Sequence, residues 1–251
     1  FPYTTLFRSI EVSYSPDKSK TAILFKPYYK QQKYKVTVAD NATGETFSKT
    51  FDFKATKEYL KFITLKVNNT GNVWLETKVR DDVITLSQSS SNKNQTKYYL
   101  LSINKSTGAQ PKSVEFISQT GKYFKAPLLS VLNSGELAVA YDYFNTDKDA
   151  VAKATSVTAY DENLSVTGSK EITPDSKFIS QATAYRIFKK GKEFSNLRTQ
   201  FVVPLAGKNF LLVAEYSDSI TGADKTKPTA VECGYMITYR FDENMNVIAQ
   251  H

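Results

Sequence analysis

Glu215 ends the apolar run Leu211-Leu212-Val213-Ala214 and is followed by Tyr216 and Asp218. A carboxylate on an otherwise apolar strand can line a channel, hold a cation or act as a general acid. Strand alternation equally allows it to sit at a sheet edge and accept backbone hydrogen bonds. Aromatic residues come in pairs at Tyr28-Tyr29, Tyr98-Tyr99, Tyr123-Phe124 and within Tyr141-Asp142-Tyr143-Phe144. Rings beside polar groups stack on sugars or proline-rich peptides, and they also fill cores. Neighbours on a strand point to opposite faces, so alternation leaves half of each pair free to be exposed, with blade-to-blade core packing the favoured use. Glu215, Asp218, Tyr141 and Tyr143 are therefore the candidates for a channel or face site.

Other chemistry is sparse. Asp81-Asp82, Asp142, Asp147 and Asp149 supply carboxylates of the kind calcium takes. Asp147-Lys148-Asp149 lacks the glycine and the distal glutamate of a calcium loop, and solvated turns explain these residues better. The chain has one histidine, His251, and one cysteine, Cys233. That excludes a Cys–His nucleophile, an internal disulfide and a His/Cys metal set. No phosphate-cradling glycine loop and no G-x-S-x-G elbow is present. No catalytic residue, cofactor or metal is expected.

The formal charge is +8, from 33 Lys+Arg against 25 Asp+Glu. Arginine occurs only at Arg8, Arg80, Arg186, Arg198 and Arg240, although arginine is the better residue for bidentate phosphate and base contacts. The lysines are scattered, with Lys189-Lys190-Gly191-Lys192 the densest group. This is a lysine-coated β surface, which discourages edge-to-edge pairing, and no nucleic-acid partner is expected. No apolar run reaches the roughly 18 residues of a membrane helix.

The elements that must position the candidates are hairpins. Ser13 to Asp17 leads through Lys18 into Thr21 to Phe25. Lys66 to Gly71 leads into Asn72 to Leu75, Ser130 to Gly135 into Glu136 to Ala140, and Val203 to Gly207 into Lys208 to Val213. Each is a strand, a tight turn that favours glycine, and a second apolar strand. A second hairpin follows each first one, beginning at Tyr34, Tyr98, Ser156 and Tyr235. Two of its turns nearly repeat: Tyr160-Asp161-Glu162-Asn163-Leu164 and Phe241-Asp242-Glu243-Asn244-Met245.

The first-hairpin turns (positions 19, 71, 135 and 207) lie about 52, 64 and 72 residues apart, somewhat above the roughly 40–50 of common propeller repeats. The excess falls at Ser87 to Thr96 and at Ser176 to Thr199, where Gln181 to Phe194 carries the best helical period. Four-stranded units in series predict an all-β, propeller-type fold of antiparallel blades. The blades are approximately 10–54, 60–118, 126–173 and 199–251. About four are present, forming one domain over 10–251 and an incomplete ring. A β-sandwich or an open meander is the main competitor.

Tyr14-Ser15-Pro16-Asp17 before an apolar strand resembles the Ser-Pro-Asp turn of WD-type propeller repeats, as in the Tol-system periplasmic propeller. Lys18 stands where glycine is usual. More broadly, Ser13 to Phe25, Val67 to Leu75 and Phe210 to Tyr216 resemble uncharacterised WD-type, Tol-like β-propeller envelope proteins of Bacteroidetes-type bacteria. The resemblance implies export past the inner membrane: a periplasmic, outer-membrane-associated or secreted protein. It supplies no catalytic residues.

Phe1 to Ser9 read as the in-frame translation of a common sequencing adapter. Asn246 to His251 look like a strand cut midway. The chain is therefore expected to be a metagenomic fragment truncated at one or both ends, with a non-native leader. The leading expectation is a non-enzymatic recognition or scaffold module of the bacterial envelope that binds protein or glycan through a propeller face. The alternative is a histidine-independent hydrolase or lyase using channel carboxylates and tyrosines. A carboxylate cluster with perturbed pKa values favours the enzyme, and a flat aromatic or apolar patch without one favours binding.

Overall fold

The computed structural model describes residues 7–27, 33–52, 60–79, 98–108, 110–116, 123–124, 127–144, 154–173, 197–221 and 228–251. These residues are all-β, with no helix among them. They form four antiparallel sheets, each a meander of four consecutive strands, and no closed barrel. This is the propeller-type repeat of four-stranded blades. Two compact units divide it.

The first unit comprises Phe1–Ile117, Gly135–Leu137 and Tyr160–Ser165. One sheet runs β1 (Phe7–Tyr14), β2 (Lys20–Pro27), β3 (Lys33–Asp40), β4 (Thr46–Asp52). The other runs β5 (Leu60–Val67), β6 (Val73–Val79), β7 (Tyr98–Ile103), β8 (Lys112–Phe116). β1 pairs with β2 from Phe7 onward, with a register shift between Phe7 and Ser9. Strand alternation sends Ala22, Leu24, Val36 and Val38 to one face of the first sheet. They meet Leu65, Val67, Val73, Leu75, Leu101 and Ile103 of the second in one core. β7 is buried at all six residues. Tyr98 and Tyr99 are therefore both in the interior, the core use favoured for the aromatic pairs, because this strand is covered on both faces.

The second unit comprises Ser118–Ser134, Ala138–Ala159 and Val166–His251. Its first sheet is β10 (Leu128–Val131), β11 (Leu137–Phe144), β12 (Ala154–Tyr160), β13 (Val166–Ile172), and a two-residue strand β9 (Tyr123–Phe124) pairs with β11. Its second is β14 (Leu197–Pro204), β15 (Phe210–Thr221), β16 (Pro228–Phe241), β17 (Val247–Gln250). The core here joins Leu132, Ala138, Ala140, Val157 and Ala159 to Phe210, Leu212, Ile237, Tyr239 and Phe241. The rings of Phe210 and Phe241 stack 4.4 Å apart, so an aromatic pair across β15 and β16 anchors this interior.

The turns follow from local chemistry. Asp161 Oδ1 accepts the amides of Asn163 and Ser165, and Asp242 Oδ1 accepts those of Asn244 and Asn246. The repeated letters are thus two copies of one side-chain-nucleated turn. Each turn ends in a residue with positive φ, Leu164 at 64° and Met245 at 63°. Lys18 adopts φ 61°, so this turn takes the left-handed geometry without a glycine. Ser15 and Asp17 hold that turn, Ser15 Oγ donating to Asp17 Oδ1, which also accepts the Ser19 amide.

Successive first-hairpin turns are also bonded to one another. The Asp17 amide donates to Asn69 Oδ1, and Asn68 Nδ2 donates to the Gly135 carbonyl. In the second unit Asn133 Nδ2 donates to the Leu205 carbonyl, and the Ser134 amide to that of Gly207.

Candidate functional site

The sequence candidates fall on two sheets of the second unit. Tyr141 and Tyr143 lie on β11, Tyr141 half-buried and Tyr143 buried. Glu215 is half-buried on β15, opposite Arg198 of β14 and Met236 of β16. Asp218 is described through its backbone, which faces Glu232.

The polar node that does form is Asp142, which alternation places on the other face of β11 from the two tyrosines. Its carboxylate accepts the Thr155 hydroxyl at 2.7 Å, the Thr199 amide at 2.9 Å and the Thr199 hydroxyl at 2.7 Å. Arg198 lies 5.0 Å from the Phe144 ring centroid. Burial lowers its pKa, and the charge of Asp142 partly restores it. Asp142 therefore ties β11 and β12 to β14, and its acceptor capacity is spent on protein donors. No group of three metal-ligating side chains occurs among the described residues. Asp81, Asp82, Asp147, Asp149, Tyr28, Tyr29, Lys189, Lys190, Lys192 and the helical segment 181–194 lie outside the described residues.

Exposed apolar side chains gather on strand faces. In the first unit Ile10, Val12 and Tyr14 are 58%, 44% and 63% exposed. Their spacing of two puts them on one face of β1, opposite Phe25, Ile23 and Thr21 of β2. The other face of the same strand is that of Glu11, beside buried Leu24, so the exposed row is the face turned away from the core. In the second unit Phe201 and Val203 of β14 and Met236 of β16 are likewise exposed.

The most unusual chemistry is on β6, a strand the sequence candidates left out. Val73 and Leu75 enter the core of the first unit, which sends Asn72, Trp74 and Glu76 to the opposite face. All three are buried, yet Asn72 Nδ2, Trp74 Nε1 and Glu76 Oε1 have no hydrogen-bond partner among the described residues. Leaving such groups unpaired is costly. Burial pushes the Glu76 carboxyl up to about 8, while the charge of Lys66 works against that rise. Lys66 lies directly across from Trp74 in the β5–β6 register, and Ser102 of β7 is Trp74's neighbour on the other side.

Ser102 leads out of this interior. Its hydroxyl lies 3.2 Å from Asn72 Oδ1 and 2.5 Å from the Glu162 carbonyl. Asn104 Nδ2 donates to the same Asn72 oxygen at 3.2 Å. Ser102, Asn104, Gln110, Lys112, Glu162 and Asn163 border a cleft of about 220 Å³. The signal for Glu76 was present in the sequence: an acidic residue on an apolar strand, the feature that also singled out Glu215.

No family model matches the chain, and no curated protein matches it. Among solved structures it is similar to a prolyl endopeptidase, at 12% identity over 97% of this chain and 34% of that one, with a TM-score of 0.41. The chain thus spans about a third of that protein. It is also similar to a thermostable family-43 glycoside hydrolase, at 11% identity over 99% of this chain and 74% of that one, with a TM-score of 0.44. A protein of unknown function from Bacteroides caccae matches at 6% identity over 86% of this chain and 68% of that one, with a TM-score of 0.33. Likeness at this level identifies neither an activity nor a ligand, and the fold assignment rests on the four sheets themselves.

Proposed function

We propose that this chain is a non-enzymatic recognition or scaffold module of the bacterial cell envelope that binds protein or glycan through a sheet face. The observation that carries this reading is the exposed row Ile10, Val12 and Tyr14 on β1, backed by the half-buried Ile23 and Phe25. A contiguous apolar row with an aromatic ring at its end suits a partner's apolar surface or the face of a sugar. The envelope location rests on the resemblance of the Ser-Pro-Asp turn and its flanking strands.

The test is binding of the full chain to arrayed envelope glycans and purified envelope proteins, beside a Val12→Ser/Tyr14→Ser variant of unchanged circular dichroism. A ligand bound by the wild type and lost by about tenfold or more in the variant is the expected result. Binding that ignores both substitutions would overturn the reading. The hydrolase or lyase alternative draws on one observation, the largely neutral Glu76 carboxyl, which is the protonation state of a general acid. Glu215, the carboxylate foreseen for the enzyme, faces Arg198 and Met236 in the sheet register.

A further inference from the structure

We propose that the outward face of the β14–β17 sheet is a two-fold interface that takes a second copy of this chain. The strand register fixes what that face carries. Phe210, Leu212, Ile237 and Tyr239 turn into the core of the second unit, so the residues that alternate with them turn away from it. Val203 and Leu211 lie in one row with Arg240. Phe201 and Val213 lie in the next, and Glu215 and Met236 form a third. Phe201 is 61% and Met236 70% exposed, with Val203 exposed beside them. Leu211 and Val213 are half-buried between these side chains. Five apolar side chains thus share one sheet face that stays open to solvent.

The charges on this face select the partner. Arg240 is level with Leu211, four residues or roughly 13 Å along β15 from Glu215. A cation therefore stands at one end of the apolar stretch and an anion at the other. Neither is in an ion pair with a described residue. In a two-fold dimer the same patch serves both copies, so a contact between residues i and j occurs twice. This face complements itself when a second copy lies across it with its strands reversed. Arg240 of each copy then meets Glu215 of the other, and the apolar side chains pack between the two ion pairs. A partner of a single charge would leave one end unanswered. The contact continues the sheet-on-sheet packing that already joins β10–β13 to the opposite face of β14–β17. It uses this sheet alone, so its failure leaves the recognition reading on β1 untouched.

Analytical ultracentrifugation of the full chain, at concentrations up to about 100 μM, measures its mass. The expected result is a dimer that dissociates on dilution. Phe201→Lys/Met236→Lys, checked for strand content by circular dichroism, is expected to be monomeric throughout. Arg240→Glu and Glu215→Arg are each expected to weaken association about tenfold or more, because the two-fold axis makes every substitution count twice. Combined, they exchange the ends of the patch and should restore association to within about threefold of the wild type. A wild type that stays monomeric overturns the proposal, as does a dimer that survives Phe201→Lys/Met236→Lys. So does a dimer lost only in Val12→Ser/Tyr14→Ser, which would assign association to the β1 row. Absence of rescue in the combined charge reversal refutes the pairing of Arg240 with Glu215. The charge-reversal series keeps the test decisive if the lysine variant fails to fold.

Discussion

Replacing Glu76 by glutamine keeps the size of the side chain and removes its ionisation. An unfolded glutamate titrates near 4.5, and burial in the fold pushes Glu76 up to about 8. Between those values the unfolded chain releases a proton that the folded chain retains. The contribution to stability is therefore fully present below about 4.5 and is lost as pH rises to about 8. At 1.36 kcal/mol per pKa unit the ceiling is about 5 kcal/mol. Local relaxation and an effective dielectric nearer 20 than 4 reduce it, to about 2–4 kcal/mol. Urea unfolding of wild type and Glu76→Gln at about pH 5 and about pH 8.5 measures it. Glu76→Gln is expected to gain about 2–4 kcal/mol on the wild type between the two conditions. Lys66 is present in both proteins, and the chain has one histidine, so few other groups blur the comparison. Parallel pH profiles for the two proteins would refute the assignment of a buried, largely neutral Glu76.

Two further outcomes follow from the turns and the second unit. Asp142→Ala strands the Thr199 amide and two hydroxyls beside a partly buried Arg198. It should destabilise by about 2–4 kcal/mol, read as a lowered urea midpoint, with Asp142→Asn intermediate; an unchanged midpoint would show that the node is not structural. Lys18→Gly relieves a left-handed backbone at φ 61° and should stabilise by about 0.5–1 kcal/mol once the entropy of glycine is set against the strain. An unaltered or lower melting temperature would argue against strain at that turn.

The hairpins were legible because their turns are local. Asp161 and Asp242 bond amides within four residues of themselves, and glycine at Gly71, Gly135 and Gly207 takes φ values of 86°, 91° and 65°. What lies over a strand's second face is set by residues far away in the sequence, and there the reading ran out. Alternation alone leaves half of each aromatic pair free to be exposed, yet Tyr98 and Tyr99 are both buried. Glu215 and Glu76 look alike in the sequence, each an acid on an apolar strand. The first keeps one side half-open beside Arg198, while the second is enclosed. The rise of the Glu76 carboxyl follows from that enclosure, which no run of adjacent letters encodes.

The hydrogen bonds between first-hairpin turns give the repeat a mechanical index. Within each unit one turn reaches the next, the Asp17 amide to Asn69 in the first and Asn133 to the Leu205 carbonyl in the second, so the step between a unit's two sheets is keyed at this end of the strands. The connections elsewhere are then released from any metric duty. Within a unit they can lengthen, as the unequal repeat intervals show, without changing how its two sheets meet. Insertions are thereby steered to the free ends of the blades, where new loops can be added while the asparagine-keyed end stays constant.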